Sequence, residues 1–168
     1  MTGNSEVDRS PSRRVVGVDL GERRIGIAIG DLDAGTAIPF RTLGRSRHVA
    51  DDAVVLARLA AEQGAGELVV GLPLDMDGSE GPQAMKTREW AEAVAVASGL
   101  PLRFRDERLT SVRAERRIGS AGRGRSGGPP SHAQLEAYRA RVDREAAALI
   151  LQDDMDATAN EHADRRPE

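Results

Sequence analysis

Apolar positions fall into short alternating runs in the first third of the chain and into longer, helix-spaced runs after it. Arg14–Asp19, built on Val15-Val16-Gly17-Val18, predicts a strand, and Leu20-Gly21-Glu22-Arg23 a turn. Arg24–Gly30 (RIGIAIG) predicts a second strand and Ala37–Leu43 a third; connections this short make the three an antiparallel meander. Asp51–Glu62 then reads as a helix, with Val54, Leu56, Ala57 and Leu59 as its apolar face. Glu67–Leu72 (ELVVGL) reads as a buried strand, closed by Gly71 and Pro73. Gln83–Ala97 is a second helix, with Pro82 at its first turn and Gly99 ending it. Leu102–Asp106 is the fifth strand, and Thr110–Ile118 a short helix. Gly119–Pro130 is a flexible loop, after which Ser131 and Gln134 form a capping box for a last helix running to about Gln152.

Strand–helix–strand succession implies right-handed parallel crossovers. The expected architecture is therefore an α/β domain over residues 13–153: a mixed five-stranded sheet, its first three strands antiparallel, with helices on both faces. Residues 1–12 and 154–168 are polar and carry no apolar period, so they are expected to be mobile tails. No internal repeat is visible.

The 168 residues suit one domain with a real core. The chain has no cysteine, which excludes disulfides, thiolate metal sites and cysteine nucleophiles and fits a reducing cytosol. No apolar run approaches the ~20 residues of a membrane span, and the N-terminus has no secretory h-region. The expectation is a cytoplasmic protein with no membrane partner. Net charge is only −3, but the basic residues are almost all arginine, with Lys86 the single lysine. Such usage follows from a GC-rich coding sequence, so the placement of the arginines carries the information rather than their number.

Three carboxylates stand where packing alone would not put them. Asp19 ends the first apolar run, and Asp143 shares a helical stripe with Ala140, Ala147 and Ile150. The third stands at the end of the fifth strand, where Asp106 and Glu107 are adjacent. Neighbouring strand residues point to opposite faces, so only one of these two can face Asp19, and the pattern leaves the choice open. Buried charges need a partner. Carboxylates far apart in sequence, each on a regular element, suggest one shared hard cation, Mg²⁺ or Mn²⁺, and hence metal-assisted chemistry on phosphate. Each has a plainer reading. Asp19-Leu20-Gly21 is ordinary turn chemistry, and it also resembles the phosphate loop of actin-like ATPases, which need two such domains. Asp143 could pair with Arg139, four residues earlier, and the acid of the 106–107 pair that does not face Asp19, Asp106 if Glu107 is the ligand, could cap the helix that starts near Thr110.

The segments VGVDLGERRIGIAIGD, VVGLPLDMDGSEGPQA, RDERLTSVRAERR and RVDREAAALILQ occur in this order. Together they resemble the YqgF family of ribonuclease H-like proteins, over about residues 13–153. Its members carry the names pre-16S rRNA nuclease and, as RuvX, Holliday junction resolvase. The resemblance implies a ribonuclease H-like sheet. It also implies catalytic, metal-binding carboxylates at Asp19, Glu107 and Asp143, which selects Glu107 over Asp106. The region 113–130 departs from the family in being richer in Gly and Arg.

Arg113, Arg116, Arg117, Arg123 and Arg125 form a basic block, and Arg139, Arg141 and Arg144 flank Asp143. Two readings stand: a solvated charged face, or a rim gripping nucleic-acid phosphates through Arg113, Arg116, Arg117, Arg123, Arg125 and Arg139. Arg24 is expected to pair with an acid near the site. Aromatic residues are only Phe40, Trp90, Phe104 and Tyr138, so recognition should rest on backbone charge rather than base stacking, with Tyr138 the one candidate to stack. The histidines show no metal-ligand spacing.

The leading expectation is a metal-dependent nuclease acting on structured RNA, the 5′ end of pre-16S rRNA if the resemblance guides substrate. Two alternatives accompany it. One is a resolvase of branched DNA, which needs a two-fold dimer rather than a monomer. The other is a non-catalytic binder in ribosome assembly.

Overall fold

The computed structural model describes residues 13–124 and 127–164. Five strands, β1 (Arg14–Leu20), β2 (Arg24–Asp31), β3 (Thr36–Gly44), β4 (Ala65–Leu72) and β5 (Leu102–Asp106), form one sheet in the order β3-β2-β1-β4-β5. β1 and β3 run antiparallel to β2, whereas β4 runs parallel to both β1 and β5. The helices are α1 (Val49–Gln63), α2 (Pro82–Ser98), α3 (Thr110–Ile118) and α4 (His132–Asp164). This is the mixed sheet, with an antiparallel first half, expected of a ribonuclease H-like domain. Among the described residues no helix is long and apolar enough to cross a membrane.

Side-chain alternation divides the core into two layers. Val16, Val18, Ile25, Ile27, Ile29, Leu68 and Val70 pack under α1 and α2. Val15, Ala28 and Val69 face α4, through Ala147, Ala148, Ile150, Leu151 and Met155. α3 reaches the second layer only through α4, where Ala114 meets Val142, Ala146 and Leu149. On the α4 side, glycines replace side chains in the three inner strands. A Cβ added to Gly17 would lie 2.7 Å from the Leu151 Cβ, and one on Gly30 2.8 Å from the Met155 sulfur. Glycine in a strand is the usual mark of such close approach. The helix therefore lies almost on the backbone of the sheet.

Three expectations need correction. α4 does not end near Gln152 but continues to Asp164, so residues 154–164 are helical rather than a tail. The extension is anchored: Met155 is buried against β1 and β2, and Asp154 accepts from Arg103 Nη2 at 2.7 Å. Val54 is 60% exposed and does not belong to the apolar face of α1. Asp52 is buried instead, taking hydrogen bonds from Trp90 Nε1 and the Ser46 N–H, both at 2.9 Å. A polar residue with buried partners thus displaces an apolar one from the inward face. Asp106 was a candidate cap for α3. The residue preceding that helix is Leu109, in the left-handed region at φ 63°, and no side chain caps it. The Ser131–Gln134 capping box forms as expected, with bonds of 2.8 and 3.3 Å. Residues 1–12 lie outside the described residues.

Candidate active site

Asp19 follows Val15 and Gly17 along the α4 face of β1, and its antiparallel partner is Gly26. Glu107 stands one residue past β5, where its N–H donates to the Leu72 carbonyl at 3.2 Å and carries the ladder one step further. Its carboxylate lies over Gly71, where a Cβ would collide with Oε2. Asp106 points the other way, taking bonds from the Arg108 N–H at 2.9 Å and Arg108 Nε at 2.8 Å. The choice left open by strand alternation thus falls on Glu107, whose carboxyl meets that of Asp19.

The electrostatics of this pair are unusual. Burial, then the charge of Asp143, pushes the Asp19 carboxyl up to about 7, opposed by its contact with Glu107. Burial, the charge of Asp19 and their shared hydrogen bond, then the charge of Asp106, push Glu107 up to about 8. Glu107 Oε2 is buried and has no hydrogen-bond partner among the described residues. Two adjacent acids that resist ionisation, one with an orphaned oxygen, are groups that a cation between them would let ionise.

Asp143, on α4, is the third acid. It accepts from Arg24 Nε at 2.5 Å, and Arg24 Nη1 continues to Glu136 Oε2 at 3.0 Å. Arg24 therefore pairs with acids beside the site, as its position in RIG suggested. Asp143 is thus engaged by Arg24, and the described residues contain no preformed cluster of three ligating side chains. The donor set nevertheless suits a hard divalent cation: oxygens only, with an orphaned buried carboxylate oxygen at its centre.

The arginine block is divided by the fold. Arg113 forms a two-pronged pair with Asp153 at 2.6 and 3.2 Å, Arg117 pairs with Glu145 at 2.8 Å, and Arg139 with Glu136 at 3.0 Å. Arg116 and Arg123 have no acidic partner among the described residues, and Arg125 lies outside them. Tyr138 packs against the apolar seam of α3 and α4, which takes it out of the role of a free stacking platform. Glu136 is the residue that sequence reasoning missed. It lies seven positions before Asp143, two helical turns along one face, and that spacing was the available signal.

The fold and its acidic centre define a ribonuclease H-like nuclease as the class. The chain belongs to the family described as "RuvX: Holliday junction resolvase", whose profile matches residues 13–157. A protein of Chloroflexus aggregans named "Putative pre-16S rRNA nuclease" is 40% identical over 147 residues, 87% of this chain and 95% of that one. One of the same name from Anaeromyxobacter dehalogenans is 42% identical over 146 residues, 87% and 98% of the two chains. Among solved structures, Thermus thermophilus RuvC in complex with a Holliday junction covers 88% of this chain and 96% of its own, at 14% identity and a TM-score of 0.49.

Proposed function

We propose that this chain is a divalent-metal-dependent nuclease of the cytoplasm that hydrolyses a phosphodiester bond at the 5′ end of pre-16S rRNA. The precursor follows the names of the relatives, and its 5′ end follows the family resemblance. The chemistry rests on one observation, the Asp19–Glu107 pair with its unpartnered Oε2. Asp19, Glu107 and Asp143 would hold Mg²⁺ or Mn²⁺. When bound, the ion supplies positive charge to the scissile phosphate as charge develops on it. Arg24 fixes the orientation of Asp143 from β2, and the glycines under α4 set the distance between helix and sheet. The protein supplies no covalent nucleophile in this scheme, so water attacks in line and the product carries a 5′-phosphate. Arg116 and Arg123, free of acidic partners among the described residues, are available to phosphates flanking the cut.

A second reading, cleavage of four-way DNA junctions, is supported by the description of the family and requires a two-fold homodimer. The deciding experiment offers end-labelled pre-16S RNA, a four-way junction and single-stranded RNA to the purified protein, with Mg²⁺ and with EDTA. Mg²⁺-dependent cutting of the precursor that disappears in Asp19→Asn is expected. Preferential cutting of the junction would favour the second reading. Binding without cutting of any substrate would replace both by a non-catalytic assembly factor.

A further inference from the structure

Beside the acidic centre, a crevice of about 330 Å³ opens between the β1–β2 turn and the first turns of α4. Glu22, Arg23, Arg24, Glu136, Arg139 and Asp143 border it. Within it, two guanidinium groups from different elements converge on one carboxylate. Arg24 Nη1 donates to Glu136 Oε2 and Arg139 Nη1 to Glu136 Oε1, each at 3.0 Å. We propose that this crevice is a subsite for a nucleic-acid backbone phosphate, and that Glu136 holds the place of that phosphate in the free protein. The inference rests on the nuclease reading and extends it to substrate positioning.

The geometry of the ligand is already present. Two donors presented to two oxygens of one anion is the arrangement in which arginines bind phosphate, and it is stronger when both partners are charged. Arg24 is pre-set for it, because its Nε bond to Asp143 fixes the guanidinium plane. Arg23 borders the same crevice and has no acidic partner among the described residues. Glu136 is ionised in this setting, held low first by its bond from Arg139 and then by the charge of Arg24. It is also easy to displace. The Glu136 side chain is 41% exposed, and ion pairs at such positions contribute little. Asp143 forms the wall between crevice and acidic centre, so a strand cut at Asp19–Glu107 would run an adjacent phosphate onto Arg24 and Arg139.

The test measures binding of a fluorescein-labelled hairpin RNA by anisotropy across a salt series, in EDTA so that no cleavage competes. Glu136→Gln keeps the shape and removes the competing charge. It should tighten binding about two- to fivefold. The salt slope should stay close to that of wild type, since displacement of Glu136 leaves the same phosphates neutralised. Adding Arg139→Ala to Glu136→Gln should cancel the gain in affinity and flatten the slope by roughly 0.7–0.9 units, with the thermal midpoint of each variant recorded to confirm folding. Unchanged or weaker binding by a folded Glu136→Gln protein would overturn the subsite. If instead binding tightens but wild-type protein with Mg²⁺ cuts no substrate, the subsite stands and the nuclease reading falls.

Discussion

Gly26 lies directly beneath Asp143: a Cβ on the glycine would overlap the Asp143 carbonyl oxygen, and its Arg144 N neighbour lies only 3.0 Å away. Gly26 is also the antiparallel partner of Asp19. The tightest approach of helix to sheet and the acidic centre are therefore the same place. Gly26→Ala should force α4 outward and cost about 3 kcal/mol or more, since the obstructing atoms are backbone. Asp143 would move away from Asp19 with it. Urea denaturation measures the cost; a stability within about 1 kcal/mol of wild type would mean that the helix does not sit this close.

This relationship shows which parts of the molecule the amino-acid sequence discloses. The glycines at 17, 26 and 30 share the parity of Asp19 or its partner, and parity alone places them on one face. The alternating strands and the capping box were legible for the same reason, being short-range patterns; the partnership of Arg24, 119 residues from Asp143, was carried by the RIG motif instead. The paired state of Arg113 and Arg117 was not. Their partners, Asp153 and Glu145, stand 40 and 28 residues away on another helix, and no local period reports them. The last turns of α4 were hidden differently. Asp154 looks like a solvent residue until Arg103 is placed beneath it.

The acidic pair predicts a pH dependence with a definite sign. Asp19 and Glu107 both titrate higher when folded than their ordinary values of 3.8 and 4.5. The folded protein thus binds more protons than the unfolded chain between those values and about 7 to 8. Their contribution is fully present below about pH 4 and is lost as pH rises through 7 to 8. In EDTA, the urea midpoint should therefore fall across this window, and Asp19→Asn should flatten the fall. Mg²⁺ should restore stability mainly at the alkaline end, by mass action on the ionised site. Equal stabilisation by Mg²⁺ at about pH 5 and about pH 8.5 would place the ion elsewhere.

Glu107 and Asp106 should separate cleanly on substitution. Glu107→Gln removes the carboxylate that would ionise on metal binding, so cleavage should disappear while the metal-free protein keeps or gains stability. Asp106→Asn loosens an exposed clasp on Arg108, which also reaches the Met76 carbonyl at 3.1 Å. Its cost should be at most about 1 kcal/mol, with cleavage retained. Single-turnover cleavage and urea curves on both variants check this. Loss of activity in Asp106→Asn with full activity in Glu107→Gln would exchange their roles.

Leu109 is the non-glycine residue with positive φ among the described residues, at 63°, and it is 60% exposed. A left-handed leucine stores about 1 kcal/mol of strain, and its side chain gains little burial in return. The strain lies two residues after Glu107, whose carbonyl accepts the Thr110 N–H at 2.9 Å. The turn that holds this backbone therefore also holds the carboxylate. Leu109→Gly relieves the strain, offset in part by the greater freedom of glycine in the unfolded chain, and should stabilise the protein by roughly 0.5 kcal/mol. If the strain serves to aim Glu107, cleavage should slow as stability rises, the exchange expected where a strained residue supports an active site. Paired measurements of the urea midpoint and the single-turnover rate decide it. A stabilised variant with an undiminished rate would reduce Leu109 to a local turn residue, and a destabilised one would show that its side chain packs in solution.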